Sequence, residues 1–311
     1  MKKIIALVLT LTLFLFSLAS CKKEKEKEIN IGVMSGPTGM GMAKLIHNEG
    51  GEDGKYEFEI YSDPTIGTTD LTSGKLDMLC LPTNAAANLF KKSKNISVIA
   101  INTLGSLYLL SDNETPINSI DDLEGKTIYS SVATSTTKPI IDFILKENGI
   151  NAEIVIEKDH DALVEKLTKK EVSIAVLPEP KVTAALMTNK DYTVKLNLSE
   201  EWSKISDEPL TMGCIVVRND FLNEHKDTVD TFLTEYESSI RYVGNKDNLE
   251  SAAQMIVDAS VLPKLPVAKG ALNNLYGSIV YIDGDSMKDA LSAFYTAIGM
   301  EKPDNEFYYA K

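Results

Sequence analysis

A segment of this sequence occurs twice in similar form, and the repeat constrains the fold more than any other feature. The stretches "GKLDMLCLPTNAAANL" from Gly74 and "KEVSIAVLPEPKVTAAL" from Lys170 align with Leu81 over Leu177 and Pro82 over Pro178. In both, an apolar run typical of a buried strand stops at Leu-Pro, and an Ala-rich helical pattern follows. The repeat predicts two lobes that share one plan.

Strands and helices alternate along the chain around these repeats. Apolar runs predict strands at residues 29–33, 56–61, 77–81 and 96–101, each followed by a turn signal and a helix or connector. Asn84 is expected to cap the helix after the third strand, Asp159 to open a later helix, and residues 220–242 to form one helix. Such alternation is typical of a mostly parallel sheet with helices on both faces, and it begins again at Gly125. We therefore predict an α/β fold with residues 29–104 and 214–311 in lobe 1 and residues 105–213 in lobe 2.

The N-terminal sequence has the pattern of a bacterial export signal. "MKKIIALVLTLTLFLFSLASC" contains two lysines, an apolar run and small residues before a cysteine. The apolar run is too short to span a hydrocarbon core of about 30 Å. The run "LASC" resembles the lipobox, which predicts a signal peptide of residues 1–20 and lipidation of Cys21; an ordinary signal with a chance cysteine is the alternative. Residues 21–28 are then a lipidated, charged tether at the extracytoplasmic face of a cell membrane.

Charge and cysteine content exclude several classes of function. The net charge is −13, and it falls to −15 when Lys2 and Lys3 are removed with the signal. Nucleic-acid binding depends on Lys and Arg that neutralise phosphates, so this surface disfavours it. Cys80 and Cys214 are too few and too far apart for a disulfide framework or a zinc site. Buried thiols are the expectation, with a single bridge as the alternative.

The Gly-rich stretch "VMSGPTGMGMAKLI" follows the first predicted strand and leads into a helix. Glycines before a helix leave backbone N–H groups free, as in phosphate-binding loops. A Walker loop is excluded because Gly36 is followed five residues later by Gly41 and then Met42, without an adjacent Lys. The third glycine of the dinucleotide fingerprint is replaced by Lys44. The loop is therefore expected to hold something other than a nucleotide.

A ligand site is expected where the predicted strands end. In open parallel sheets the ligand crevice lies beyond the carboxyl ends of the strands. For each loop taken alone, turn and helix-cap chemistry is the alternative explanation of its polar residues. The residues that this rule selects as ligand-binding are Pro37, Thr38, Gly39, Met40, Thr65, Ile66, Thr83, Asn84, Asn102, Thr103, Ser131, Thr134, Ser135, Thr136 and Glu179.

Two glycines lie where the chain is expected to cross between the lobes. Gly105 lies in "NTLGSLYLL" and Gly213 in "LTMGCIVV". Glycine at both crossings permits a hinge, whereas an ordinary turn or bulge role is the alternative.

These segments together resemble the solute-binding lipoproteins of bacterial ABC importers, of the nitrate/sulfonate/taurine type that includes thiamine-precursor binders. The resemblance rests on the lipobox at Cys21, "INIGVMSGPTG", "SGKLDMLCLPTNAAANLF", "SIDDLEGKTIYSSVATST" and "SIAVLPEPKVTAAL". It implies a two-lobed periplasmic-binding-protein-like fold of type II, two hinge crossings, and a small molecule bound between the lobes. It also implies a monomer that delivers its ligand to a permease with an ATPase subunit, without a cofactor or metal.

The predicted loops suggest the character of the ligand. They contain no arginine, and bidentate arginine commonly binds sulfonates and carboxylates. Glu179 is the only carboxylate among them, and once desolvated it needs a donor from a ligand or a neighbour. We therefore expect a neutral or cationic heterocycle. The alternative is that Glu179 caps the helix that begins near Lys181.

Two other functions remain as alternatives. The same two-lobed fold occurs in enzymes of pyrimidine synthesis and of the menaquinone pathway. Catalysis is disfavoured because His47, His160 and His225 lack cysteine or carboxylate partners at a recognisable spacing. A lipid-anchored sensor is the second alternative.

Overall fold

The structure, a computed structural model, describes residues 28–131 and 136–309. Cys21 and two residues of the predicted site, Thr134 and Ser135, lie outside the described residues. Within the described part of the chain, the secondary structure forms two β-sheets with helices packed on their faces.

The first sheet brings together strands from both ends of the chain. Strands β1 to β4 run in one direction, and β10 lies antiparallel between β3 and β4. Its spatial order is β11 (Ile279–Ile282), β4 (Ile96–Leu104), β10 (Thr211–Arg218), β3 (Met78–Pro82), β1 (Ile29–Met34) and β2 (Tyr56–Tyr61).

The second sheet is built entirely from the middle of the chain. Strands β6, β7 and β8 are parallel, and β5 lies antiparallel between β8 and β9. Its spatial order is β7 (Glu153–Glu157), β6 (Thr127–Ser131), β8 (Ile174–Pro178), β5 (Leu107–Asp112) and β9 (Tyr192–Asn197).

Helices connect the strands and continue after the last crossing. The single helix predicted at residues 220–242 is divided at His225, where the backbone leaves the helical region. The α-helices of the described residues are α1 (Pro37–Met40), α2 (Ala43–Glu49), α3 (Pro64–Thr72), α4 (Thr83–Ser93), α5 (Thr137–Glu147), α6 (His160–Thr168), α7 (Lys181–Thr188), α8 (Leu198–Ser203), α9 (Asn219–Glu224), α10 (Lys226–Val243), α11 (Leu249–Asp258), α12 (Leu265–Asn274) and α13 (Gly284–Ala297).

The two sheets have the same plan. The order β2-β1-β3-β10-β4 in the first matches β7-β6-β8-β5-β9 in the second. The repeated Leu-Pro segments end equivalent strands, since Pro82 pairs with Gly213 of β10 and Pro178 pairs with Leu107 of β5. The predicted α/β fold class is therefore confirmed. Strand β10 begins at Thr211, close to the predicted boundary at residues 213 and 214.

Apolar packing is continuous from one sheet to the other. Trp202 of α8 contacts Phe143 of α5, with ring centroids 4.9 Å apart, and Phe294 of α13, at 6.1 Å. Helix α13 packs on β4 and β10 of the first sheet, so the indole bridges the two halves. Cys80 and Cys214 are buried free thiols in two different apolar clusters, as the sequence predicts.

A buried ion pair joins three strands at the opposite end of the first sheet from the predicted site. The Asp77 carboxylate, 9% exposed, accepts hydrogen bonds from the Arg218 guanidinium at 3.0 Å and from the Asn30 backbone N–H at 2.9 Å. Arg218 also donates to the exposed Asp220 at 2.8 Å. Removing one partner of a buried pair leaves the other charge uncompensated.

We expect Asp77→Ala to lower the free energy of unfolding by about 3 kcal/mol, because it removes the buried partner of Arg218 and leaves the guanidinium only the exposed Asp220. Asp220→Ala is the matched control, since it removes an exposed partner of the same guanidinium and should cost less than about 1 kcal/mol. Urea denaturation of both variants measures the difference. Equal losses would show that Asp77 contributes no more than a surface pair.

Candidate functional site

The predicted site residues belong to loops and helix starts at the carboxyl ends of strands in both sheets. The Gly-rich loop follows β1, and the Glu179 turn follows β8. These two segments face each other, because a Cβ built on Gly36 would lie 4.0 Å from Cδ of Pro180. The structure thus brings the carboxyl edge of one sheet against that of the other.

The Gly-rich loop is shaped by close backbone packing. Gly36 has φ of 98°, a left-handed conformation that favours glycine. A Cβ on Gly39 would lie 2.0 Å from the Met34 carbonyl oxygen, so this position has no room for a side chain. Pro37 is the first residue of α1, Thr38 is half-buried, and Met40 is fully buried in an apolar cluster. Of the predicted site residues in this loop, Pro37 and Thr38 are the half-buried ones, and the neighbouring Ser35 is exposed.

Polar side chains gather beneath α1, over the crossing strand β10. A Cβ on Gly213 would lie 2.7 Å from both Thr38 Oγ1 and Asn102 Oδ1, so glycine is required by close approach. Thr103 Oγ1 donates to Asn102 Oδ1 at 3.0 Å, whereas Asn102 Nδ2 is buried without a hydrogen-bond partner among the described residues. The α4 start is nearby, where Thr83 Oγ1 donates to the Thr211 carbonyl at 3.3 Å.

Two predictions about helix starts have different outcomes. Asn84 was expected to cap its helix, but α4 already begins at Thr83 after Pro82, so Asn84 lies inside the first turn. Asp159 caps α6 as predicted, since its carboxylate accepts from the Ala162 N–H at 2.7 Å. At α3, the capping residue is Asp63, which accepts from the Thr65 N–H at 2.8 Å, and Ile66 is exposed.

A serine and a histidine form a polar pair at the carboxyl edge of the second sheet. Ser131 is the last residue of β6 and is buried, and its Oγ lies 2.5 Å from Nδ1 of His160, the first residue of α6. Burial, with a further contribution from the Lys181 charge, lowers the pKa of His160 to about 4. The imidazole is therefore neutral at physiological pH. Thr136, at the start of α5, is also buried.

The Glu179 carboxylate is almost completely buried and is hydrogen-bonded by the protein itself. Thr183 donates to it through its backbone N–H at 3.2 Å and its hydroxyl at 3.1 Å, which caps the first turn of α7. Asn274 Nδ2 donates at 2.5 Å from the end of α12. Burial raises the pKa of Glu179, and these three donors oppose that effect. The N-cap position is Pro180, but Glu179 accepts from a backbone N–H of the first turn, which is the interaction that the helix-cap alternative expected, and a neighbour supplies the third donor.

Asn274 receives a second contact from the second sheet. The Tyr108 hydroxyl donates to the Asn274 carbonyl oxygen at 2.5 Å. Nearby, a Cβ on Gly270 would lie 2.5 Å from Thr183 Cγ2, so α7 and α12 approach closely only because residue 270 is glycine.

Sequence reasoning missed His160, Tyr108, Thr183 and Asn274 as residues of this region. His160 had a signal, because it directly follows Asp159, the predicted start of a helix. Asn274 had none, since it lies in the interior of a helical pattern, 95 residues after Glu179. A groove with a volume of about 630 Å³ lies elsewhere, at the amino ends of β6 and β7, and no predicted site residue lines it.

Among the described residues, no three His, Cys, Asp or Glu side chains are grouped to hold a metal ion. No helix in the same residues has the length and apolarity needed to cross a membrane.

Two sheets of equivalent strand order, joined by two crossings and facing each other at their carboxyl edges, define the class of two-lobed, periplasmic-binding-protein-like α/β proteins. The chain belongs to the family described as menaquinone biosynthesis, whose sequence profile matches residues 40–299. No protein of curated function matches the sequence significantly.

Solved structures of this class are similar to the chain over most of its length. An ABC transporter protein from Parabacteroides distasonis superposes with a TM-score of 0.74 at 17% identity, covering 92% of this chain and 100% of that one. The periplasmic aliphatic sulphonate binding protein SsuA from Escherichia coli gives 0.69 at 13% identity, covering 91% and 92%. The periplasmic nitrate-binding protein NrtA from Synechocystis gives 0.57 at 10% identity, covering 86% and 80%. The resemblance to ABC-importer binding proteins is confirmed at the level of fold.

The His160 pKa predicts how stability depends on pH. The native pKa of about 4 lies below the ordinary value of 6.5, so on acidification the unfolded chain binds a proton before the native protein does. The free energy of unfolding should therefore fall by about 2 kcal/mol more between pH 7 and pH 5 in the parent than in His160→Gln. Urea titrations at both pH values measure this, with His225→Gln, an exposed histidine, as control. Parallel pH curves for parent and His160→Gln would contradict the prediction.

Proposed function

We propose that this protein is the extracytoplasmic solute-binding subunit of an ABC importer. In this proposal it captures a small organic molecule between its two lobes by hinge closure and delivers it to a permease. Lipid on Cys21 would anchor it to the membrane. The observation that carries the proposal is the apposition of the Gly36 loop and the Pro180 turn, which sets two polar carboxyl edges against each other. The binding-protein structures of the same fold support the same role.

The predicted site residues that remain available for a ligand are polar and uncharged. Glu179 already accepts three hydrogen bonds from Thr183 and Asn274, so it has less need of a cationic ligand as a partner. His160 is neutral, and Lys181 at the edge is paired with Asp161. A neutral ligand avoids the cost of burying an unpaired charge. We therefore propose a neutral heterocycle as the ligand, bound by hydroxyl and amide groups such as those of Thr38 and Asn102.

The lobe boundaries and hinge belong to the same proposal. Lobe 1 would comprise residues 29–104 and 214–311, and lobe 2 residues 105–213. The chain passes between the sheets at Gly105 and again before β10. Gly105 also has a steric role, since a Cβ there would lie 1.6 Å from Ser199 Oγ.

Mass spectrometry of the co-purified ligand tests the function directly. The protein is purified from its own host, denatured, and the released small molecules are identified. We expect one neutral organic compound in near-stoichiometric amount, whose re-addition at 100 times its dissociation constant stabilises the protein by about 2.7 kcal/mol. Release of no compound, together with no thermal shift across a panel of neutral, cationic and anionic heterocycles, would contradict the proposal.

Thr38→Val tests the predicted site with a nearly isosteric change. Loss of the hydroxyl should weaken binding of the released compound about tenfold, the effect of one missing hydrogen bond, and leave the melting temperature of the ligand-free protein nearly unchanged. Thr168→Val, at the far end of α6, is the matched control and should bind like the parent. Equal binding by all three proteins would remove Thr38 from the site.

A second candidate function is an enzyme of the same fold. The observations that favour it are the family description and the Ser131–His160 pair, with Oγ 2.5 Å from Nδ1. Against it, a general base works best with a pKa near the operating pH, and burial holds this imidazole far below that. Chemical conversion of the released compound by the parent, and its loss in His160→Gln, would establish the enzyme. A lipid-anchored sensor would be distinguished by the lack of a neighbouring permease and ATPase gene pair.

A further inference from the structure

We infer that Asn274 is a closure latch: a positioning residue on α12 that holds the two lobes together by its hydrogen bonds to Glu179 and Tyr108. The inference concerns the closure step of the proposed function and rests on it. It assigns Glu179 to the closing mechanism rather than to direct contact with the ligand.

The hydrogen bonds of Asn274 connect a helix that packs on the first sheet to residues of the second sheet. Helix α12 packs with the first sheet, because its residues Ala268, Ala271 and Leu272 belong to the same apolar cluster as Ile29 and Ile31 of β1. Its partners lie in the second sheet. Asn274 Nδ2 donates to Glu179 Oε1 at 2.5 Å, after β8, and the Tyr108 hydroxyl of β5 donates to the Asn274 carbonyl at 2.5 Å. One residue therefore holds the other lobe through both its side chain and its backbone.

The latch is connected to the crossing between the sheets. The Glu179 backbone N–H donates to the Ser106 carbonyl at 2.9 Å, and Ser106 directly follows Gly105 at the first crossing. Glu179 is thus fixed at the crossing by its backbone and to α12 by its side chain. Opening of the lobes would separate Asn274 from a carboxylate that is 1% exposed in this closed arrangement. Hydrogen bonds to charged groups contribute more to stability than those between neutral groups. This contact therefore favours the closed state over the open state.

The helix packing beside the latch supports the same role. Gly270 lies one turn before Asn274 on α12, and its lack of a side chain lets Thr183 of α7 approach. Thr183 is also the residue that donates twice to Glu179. The carboxylate is consequently held between a helix of each lobe, which is the arrangement expected of a contact made on closure.

Label distances in the protein without added ligand test the latch directly. Ile66→Cys on α3 and Met187→Cys on α7 place one label on each lobe, at side chains that are 56% and 50% exposed. The background is the full chain with Cys21→Ser. Cys80 and Cys214 should not react, because both are buried and burial raises the pKa of the Cys80 thiol to about 12. Pulsed electron paramagnetic resonance then gives the distribution of label separations.

We expect Asn274→Ala to raise the ratio of open to closed molecules at least about tenfold, because it removes a donor to a buried carboxylate. Asn274→Asp should open the protein further, since it sets a second carboxylate against Glu179. Tyr192→Phe is the matched control for Tyr108→Phe: its hydroxyl donates to the Val172 carbonyl within the second lobe at 2.5 Å. Tyr108→Phe should shift the separation, and Tyr192→Phe should not.

A double variant separates a broken latch from a misfolded protein. Glu179→Gln combined with Asn274→Asp reverses donor and acceptor, so it should restore the closed distribution that Asn274→Asp alone loses. Unchanged separations in Asn274→Ala and Asn274→Asp, or no recovery in the double variant, would overturn the latch. Because these measurements need no ligand, a failed latch and a failed transport proposal are distinguishable: the label distances alone test the latch, and the released-compound experiment alone tests transport.

Discussion

The structure depends on one topological constraint, which is the antiparallel insertion of each crossing strand into the sheet that it enters. Strand β10 returns from the second sheet and lies between β3 and β4, where it pairs with both. Without it, the first sheet would be divided into two pieces. Strand β5 has the same place in the second sheet, between β8 and β9. The first sheet is therefore complete only after the chain has passed through the second, and this ties the two halves into one protein.

The same constraint brings the crossings and the candidate site together. Near the start of each crossing strand, one residue pairs with the proline that ends the neighbouring strand: Gly213, the third residue of β10, pairs with Pro82, and Leu107, the first residue of β5, pairs with Pro178. Pro82 is followed by Thr83, the first residue of α4, and Pro178 is followed by Glu179, two residues before α7 begins. A change in backbone conformation at a crossing therefore moves the polar residues at the carboxyl edges directly. In the proposed function, this proximity couples the arrival of a ligand to the motion of the lobes.

Much of the fold was predictable because it depends on local pattern. Apolar periodicity located β1 to β4, and the Leu-Pro repeat correctly implied that β3 and β8 are equivalent. Contacts between residues far apart in the sequence left no local signal. The partner of Glu179 is Asn274. The apolar pattern predicted the helix that carries Asn274, but it could not predict which residues this helix would contact. The roles of glycines were also ambiguous in the sequence. Gly105 and Gly213 were predicted as hinge candidates, and the structure shows in addition that neighbouring side chains leave no room for a Cβ at either position. The predicted cap at Asn84 was wrong because the helix begins two residues earlier than such a cap requires, at Thr83 directly after Pro82.

The distribution of charge bears on the choice between binding and catalysis. The chain is strongly acidic, yet the ionisable groups near the facing edges are neutralised or occupied: Glu179 by three donors, Lys181 by Asp161, and His160 by burial. Catalytic sites usually keep a group poised to exchange a proton near the working pH. A binding site gains instead from fixed, uncharged donors and acceptors, which hold a ligand without the cost of desolvating a charge. In the proposed function, closure is stabilised by the protein's own buried carboxylate, and the ligand supplies the hydrogen bonds that groups such as Asn102 Nδ2 lack among the described residues.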